Sequence, residues 1–205
     1  MLEMVITARS ADLGHGLTVR RVLPYAKRRM VGPWIFVDHA GPVTIAPEDT
    51  RAADVRPHPH IGLSTVSYLL SGQVHHRDSL GVDQPINPGD VNWMTAGRGI
   101  SHSERFKHPD SFAGGGLELM QFWVALPLAD EECDPTFTHY GSEALPVIER
   151  PGLRCRVLAG EERAFEVTYQ LWARLGIAYL RAAPQCPPPG RCLPGSTTST
   201  AGLSR

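Results

Sequence analysis

The chain has 205 residues, 42% of them hydrophobic, and 20 Lys+Arg against 21 Asp+Glu leave a formal net charge of -1. That supplies apolar material for a sizeable core, and the near-zero charge excludes a global field drawing the protein to nucleic acid or an anionic membrane surface. No run approaches the ~18 apolar residues of a membrane span, and residues 1–16 carry Glu3, Arg9 and Asp12 where a signal peptide needs an uninterrupted apolar stretch.

Cys133, Cys155, Cys186 and Cys192 form no C-x-x-C pair, so they indicate neither a zinc site nor a dithiol exchange centre. Reduced thiols in a cytoplasmic protein are expected. Residues 17–41 read as short strands, Leu17 to Leu23 and Trp34 to Asp38, separated by the turn signal Gly32-Pro33. Arg20, Arg21, Arg28 and Arg29 are candidates for a basic patch, although scattered arginines more often simply face water. Residues 42–56 read as a polar loop.

The most informative stretch follows. His58 with His60, and His102 with Glu104, are each spaced i,i+2. On a strand this puts both side chains of a pair on one face, roughly 6.6 Å apart along the backbone. A single buried histidine is more often a satisfied core residue than a ligand. Two such pairs, separated by the β-rich run of residues 64–72 and the Pro-Gly turn Asn87-Pro88-Gly89-Asp90, predict a mononuclear metal site inside a small β-barrel. If the strand ran on past Gly62, His58, His60, Val66, Tyr68 and Leu70 would share the inward face.

His75 and His76 are adjacent, so they point to opposite faces of a strand and read as hairpin-end residues. Gly97-Arg98-Gly99 permits close backbone approach or positive φ, but lacks the rest of a dinucleotide fingerprint. Residues 117–127 form a long apolar strand ended by Pro127, expected to close the barrel with Met120, Phe122 and Trp123 in the core. Residues 135–140, 145–148 and 153–160 read as further short extended pieces. From Pro184 the chain is rich in Pro, Gly, Ser and Thr, a composition that predicts disorder.

Several of these segments together resemble the pirin family of the cupin superfamily: Val31-Gly32-Pro33-Trp34-Ile35-Phe36, Arg56-Pro57-His58-Pro59-His60-Ile61-Gly62, Thr65-Val66-Ser67-Tyr68-Leu69-Leu70-Ser71-Gly72, and the run from Asn87 to Glu104. The resemblance extends over residues 15–160. It implies an all-β fold, the cupin jelly-roll β-barrel that forms the N-terminal half of a pirin-type bicupin, with a metal in that barrel only. The implied organisation is a metal-bearing domain over residues 1–130, connecting strands over 131–160, and an incomplete second barrel whose truncated, divergent or frameshifted remnant occupies 161–205. One departure is Ile61-Gly62-Leu63-Ser64, where many relatives carry Arg-Gly-Phe-Glu.

The family's three histidines and one glutamate fall on His58, His60, His102 and Glu104. Three imidazoles and a carboxylate suit one divalent transition metal and leave coordination positions open. The resemblance favours Fe(II), with Mn, Ni, Cu or Zn as alternatives. It further implies a quercetin 2,3-dioxygenase-type activity on a flavonol or related small aromatic enol, with Glu104 as the catalytic base. The alternatives are a non-catalytic, metal-dependent regulator that binds a protein partner, and an inactive shortened copy. A deep apolar pocket at the metal speaks for catalysis; an occluded metal beneath a charged face built from Arg20, Arg21, Arg28 and Arg29 speaks for partner binding.

Overall fold

The computed structural model describes residues 4–13, 17–106, 116–151 and 153–159. Contacts divide the chain between Ala144 and Leu145 into two units. In the first, all pairings are antiparallel and make two sheets. The larger sheet runs in the order β1 (Arg9–Asp12), β2 (Thr18–Leu23), β3 (Trp34–Thr44), β10 (Gly116–Ala125), β5 (Leu63–Ser71), β8 (Val91–Thr95) and β11 (Thr136–Tyr140). The smaller runs β4 (Val55–His60), β9 (Ile100–Arg105), β6 (Val74–Asp78) and β7 (Asp83–Ile86). The second unit holds an antiparallel ribbon of β12 (Val147–Arg150) and β13 (Leu153–Arg156). Among the described residues no helix is long and apolar enough to cross a membrane.

This is the expected cupin jelly roll. Its two sheets face one another across a core to which Val19, Ala40, Leu69 and Leu117 come from the larger sheet and Val74 and Ile86 from the smaller. Each fully buried side chain of this kind contributes about 1.5–3 kcal/mol. The barrel unit continues past the expected domain end at residue 130, because β11 pairs with β8 along its whole length and Phe137 packs against Met94, Ala96 and Ile100. Likewise β3 runs on through Thr44 and β4 starts at Val55, so the expected loop over 42–56 is shorter than its polar composition implies. The expected remnant over 161–205 lies outside the described residues.

Gly62 changes the face that the chain presents. Its φ of 67°, in the region open chiefly to glycine, ends β4 in one sheet and starts β5 in the other. The inward face of β5 therefore carries Ser67 and Leu69. Val66 and Tyr68 lie on the opposite face, where Tyr68 packs with Leu23, Val37 and Met120, and Leu70 is 40% exposed. The expectation that Val66, Tyr68 and Leu70 share the histidines' face is corrected by this one residue. The turn between β7 and β8 follows its sequence closely: Pro88 sets the first corner and Gly89, at φ 92°, the second, as a type II turn requires. The Asp90 carboxylate accepts the Asn87 N–H at 2.9 Å and closes it.

Candidate metal centre

β4 and β9 are neighbours, and His58 stands directly opposite His102 in their register. The same-face spacing of His58 and His60 then brings the second imidazole of β4 to the same point. One nitrogen from each of His58, His60 and His102 lies within 4.8 Å of the others, and the ring centroids are 4.4–5.1 Å apart. His60 and His102 are 8% and 4% exposed, and His58 is half-buried, so the cluster opens on the His58 side.

Glu104 is not gathered into that group. A register shift between Val55 and His58 leaves it opposite Val55 instead of in step with the histidine pair. Its carboxylate lines the same cavity, within reach of the Ser67 hydroxyl at 3.2 Å, which also lies 2.8 Å from Gln121 Oε1.

The electrostatics suit a cation. Burial, reinforced by the charge of His58, pushes His60 down to about 4. Burial, reinforced by His58, His76 and His60, pushes His102 down to about 2. Both rings are therefore neutral near pH 7, the state in which imidazole ligates a metal. His58 Nδ1 lies 2.8 Å from the Arg56 carbonyl; that oxygen only accepts, so Nδ1 carries the proton and Nε2 presents its lone pair. His102 Nε2 is buried with no hydrogen-bond partner, an arrangement costing about 1–3 kcal/mol unless something fills the role. The donor set fits a divalent metal ion.

A pH dependence follows. Between pH 6.5 and about 4 the unfolded chain binds protons at these two positions that the folded, metal-free chain refuses. Stability is thus full above pH 6.5 and falls as the pH drops toward 4, with about two protons taken up on unfolding. Chemical denaturation of metal-free protein at a series of pH values measures that slope, and His60→Phe should reduce it.

The histidines open onto a cavity of about 400 Å³. Phe36 and Trp123 stack on its wall at 4.2 Å, and Trp123 stands edge-on to His60 at 5.1 Å. Trp123, expected in the core, thus lines the site, while Met120 is buried in the outer cluster where Phe122 packs. Arg21 also turns inward: it pairs with Asp38 through two hydrogen bonds of 2.9 and 2.7 Å and lies over the Phe36 ring. Arg20 is held by His39 and the Gly41 carbonyl. The candidate basic face accordingly lacks Arg21.

His76 is the residue that sequence reasoning passed over. With His75 it is buried, not at a hairpin end. Its ring stacks on Phe137 at 4.4 Å, its Nε2 lies 2.9 Å from Asp78 Oδ2, and its Nδ1 lies 3.3 Å from His102 Nδ1. The available signal was the i,i+2 spacing of His76 and Asp78, the same rule that picked out the ligand pairs.

A double-sheet barrel carrying a histidine cluster on two neighbouring strands, turned into the barrel, is the arrangement of a cupin. The comparisons narrow this: residues 16–124 match the Pirin family profile, and the chain belongs to the pirin family. It is similar to a pirin-like protein of Caulobacter vibrioides, 53% identical over 78% of this chain and 56% of that protein. A quercetin 2,3-dioxygenase structure from Acinetobacter baumannii superposes with a TM-score of 0.68 at 45% identity, over 76% of this chain and 49% of that one. A second structure of that name and organism gives 0.66 at 32% identity, over 76% and 55%. The chain spans about half the length of the curated relatives it matches.

Proposed function

We propose that this protein is a metal-dependent dioxygenase of the quercetin 2,3-dioxygenase type, acting on flavonols or related enolic phenols, with Fe(II) as its metal. The observation that carries the reading is the cavity: the histidine cluster opens into a space of about 400 Å³ walled by Phe36 and Trp123, with room for an aromatic ligand. Similarity to the Acinetobacter baumannii enzymes supports it. A divalent ion held by His58, His60 and His102 supplies Lewis acidity toward an enolic oxygen and one-electron chemistry toward dioxygen. Glu104, polar and part-buried beside the cluster, accepts the enol proton, and Ser67 steadies its carboxylate. Phe36 and Trp123 hold the ring plane.

The inward turn of Arg21 and the access at His58 favour catalysis over a partner-binding surface. The test is metal analysis of the purified protein followed by aerobic quercetin consumption with and without added Fe(II). Metal-dependent loss of quercetin with matching oxygen uptake is expected; full metal occupancy with no turnover would overturn the dioxygenase reading.

A further inference from the structure

We propose that Asp78 and His76 form a hydrogen-bonded relay that holds His102 in the Nδ1–H form and aims its Nε2 lone pair at the metal position, making His76 a positioning residue, not a ligand. The inference rests on the reading of His58, His60 and His102 as metal-holding.

The relay starts at a carboxylate with little freedom. Asp78 has a fully buried side chain, and its Oδ1 accepts the backbone N–H groups of Leu80 and Val82 at 2.9 and 3.1 Å. The Gly81 N–H returns to the Asp78 carbonyl, closing the turn around it. Its second oxygen, Oδ2, faces His76 Nε2 at 2.9 Å. A carboxylate accepts, so the proton sits on Nε2. Neutral His76 then has a bare lone pair at Nδ1, and Phe137, stacked at 21° to the ring, keeps that lone pair in one plane.

Only one proton fits between the two facing Nδ1 atoms at 3.3 Å. His102 must supply it, which leaves His102 Nε2 unprotonated. The opposite polarity would place a proton on His102 Nε2, a buried atom without an acceptor. His76 stays outside the group of three converging donors, so its contribution passes through His102. The Arg56 carbonyl does the same for His58 from the other side. Metal-ligating histidines typically depend on such a partner for ring orientation and basicity, and its loss costs about 10- to 100-fold in metal affinity.

The test uses the full chain and Co(II), titrated against a chelator and followed by its visible absorption. His76→Phe keeps a stacked ring on Phe137 but offers no acceptor; it should bind Co(II) about 10- to 100-fold more weakly, with an altered spectrum. His76→Gln, whose amide oxygen accepts from His102, should restore most of that loss. His58→Ala is the control for the triad itself: binding that His58→Ala abolishes and His76→Phe leaves at the wild-type value would overturn the relay while sparing the metal site. Equal Co(II) affinity in wild type and His58→Ala would overturn both. One readout needs no variant: nitrogen NMR of the metal-free wild-type protein should show His102 protonated at Nδ1, and protonation at Nε2 would refute the proposal.

Discussion

His102→Ala is expected to remove the bound metal. Metal affinity should fall by on the order of 100-fold or more, since a complete protein site supplies about 10–16 kcal/mol and one of three nitrogen donors carries a sizeable share. The same change should cancel the rise in unfolding temperature that added metal gives the wild type, because that rise depends on an ion bound only by the folded state. Metal-free stability should respond differently. Deleting this ring opens a cavity but also removes a buried nitrogen that has no partner, so the two effects oppose. Metal analysis after dialysis, with melting curves at several metal concentrations, checks both halves; a variant that retains wild-type metal content would exclude His102 as a ligand.

Glu104→Gln should separate proton transfer from metal holding. The amide has the carboxylate's shape, and its oxygen still accepts from Ser67, but it cannot take a proton at neutral pH. Turnover of a flavonol should drop by about 10²–10⁴-fold, the usual worth of general-base assistance. Metal content should stay near that of the wild type, because Glu104 stands apart from the three converging nitrogens. Unchanged turnover would remove the base role. Loss of metal together with activity would instead return Glu104 to the fourth-ligand place that the family pattern implies.

The parts of the site legible in the sequence were those that depend on one strand's geometry alone. The i,i+2 spacing of His58 and His60, and of His102 and Glu104, is a property of any extended backbone, whereas the facing of His58 and His102 is set by the four strands that intervene between β4 and β9. The parts that escaped depend on how strands meet. Nothing local to His102 and Glu104 reports the extra residue that β4 carries between Val55 and His58, five strands earlier in the chain but adjacent in space. Nothing near Trp123 tells the inner from the outer face of β10, a distinction set by its pairing with β5, where Gln121 meets Ser67. His76 was passed over because its neighbour His75 invited a reading of the pair, whereas its working partner is Asp78. The reversal of the β5 face is only half readable: a glycine at position 62 permits the positive φ that breaks the strand, but it does not announce that the chain leaves one sheet for another.

The most direct test of the metal centre is anomalous diffraction from crystals loaded with a single divalent metal, collected on both sides of its absorption edge. One peak is expected in the barrel, at about 2.0–2.2 Å from a ring nitrogen of each of His58, His60 and His102. A barrel with no peak there, or an ion that touches fewer than two of these rings, would contradict the assignment.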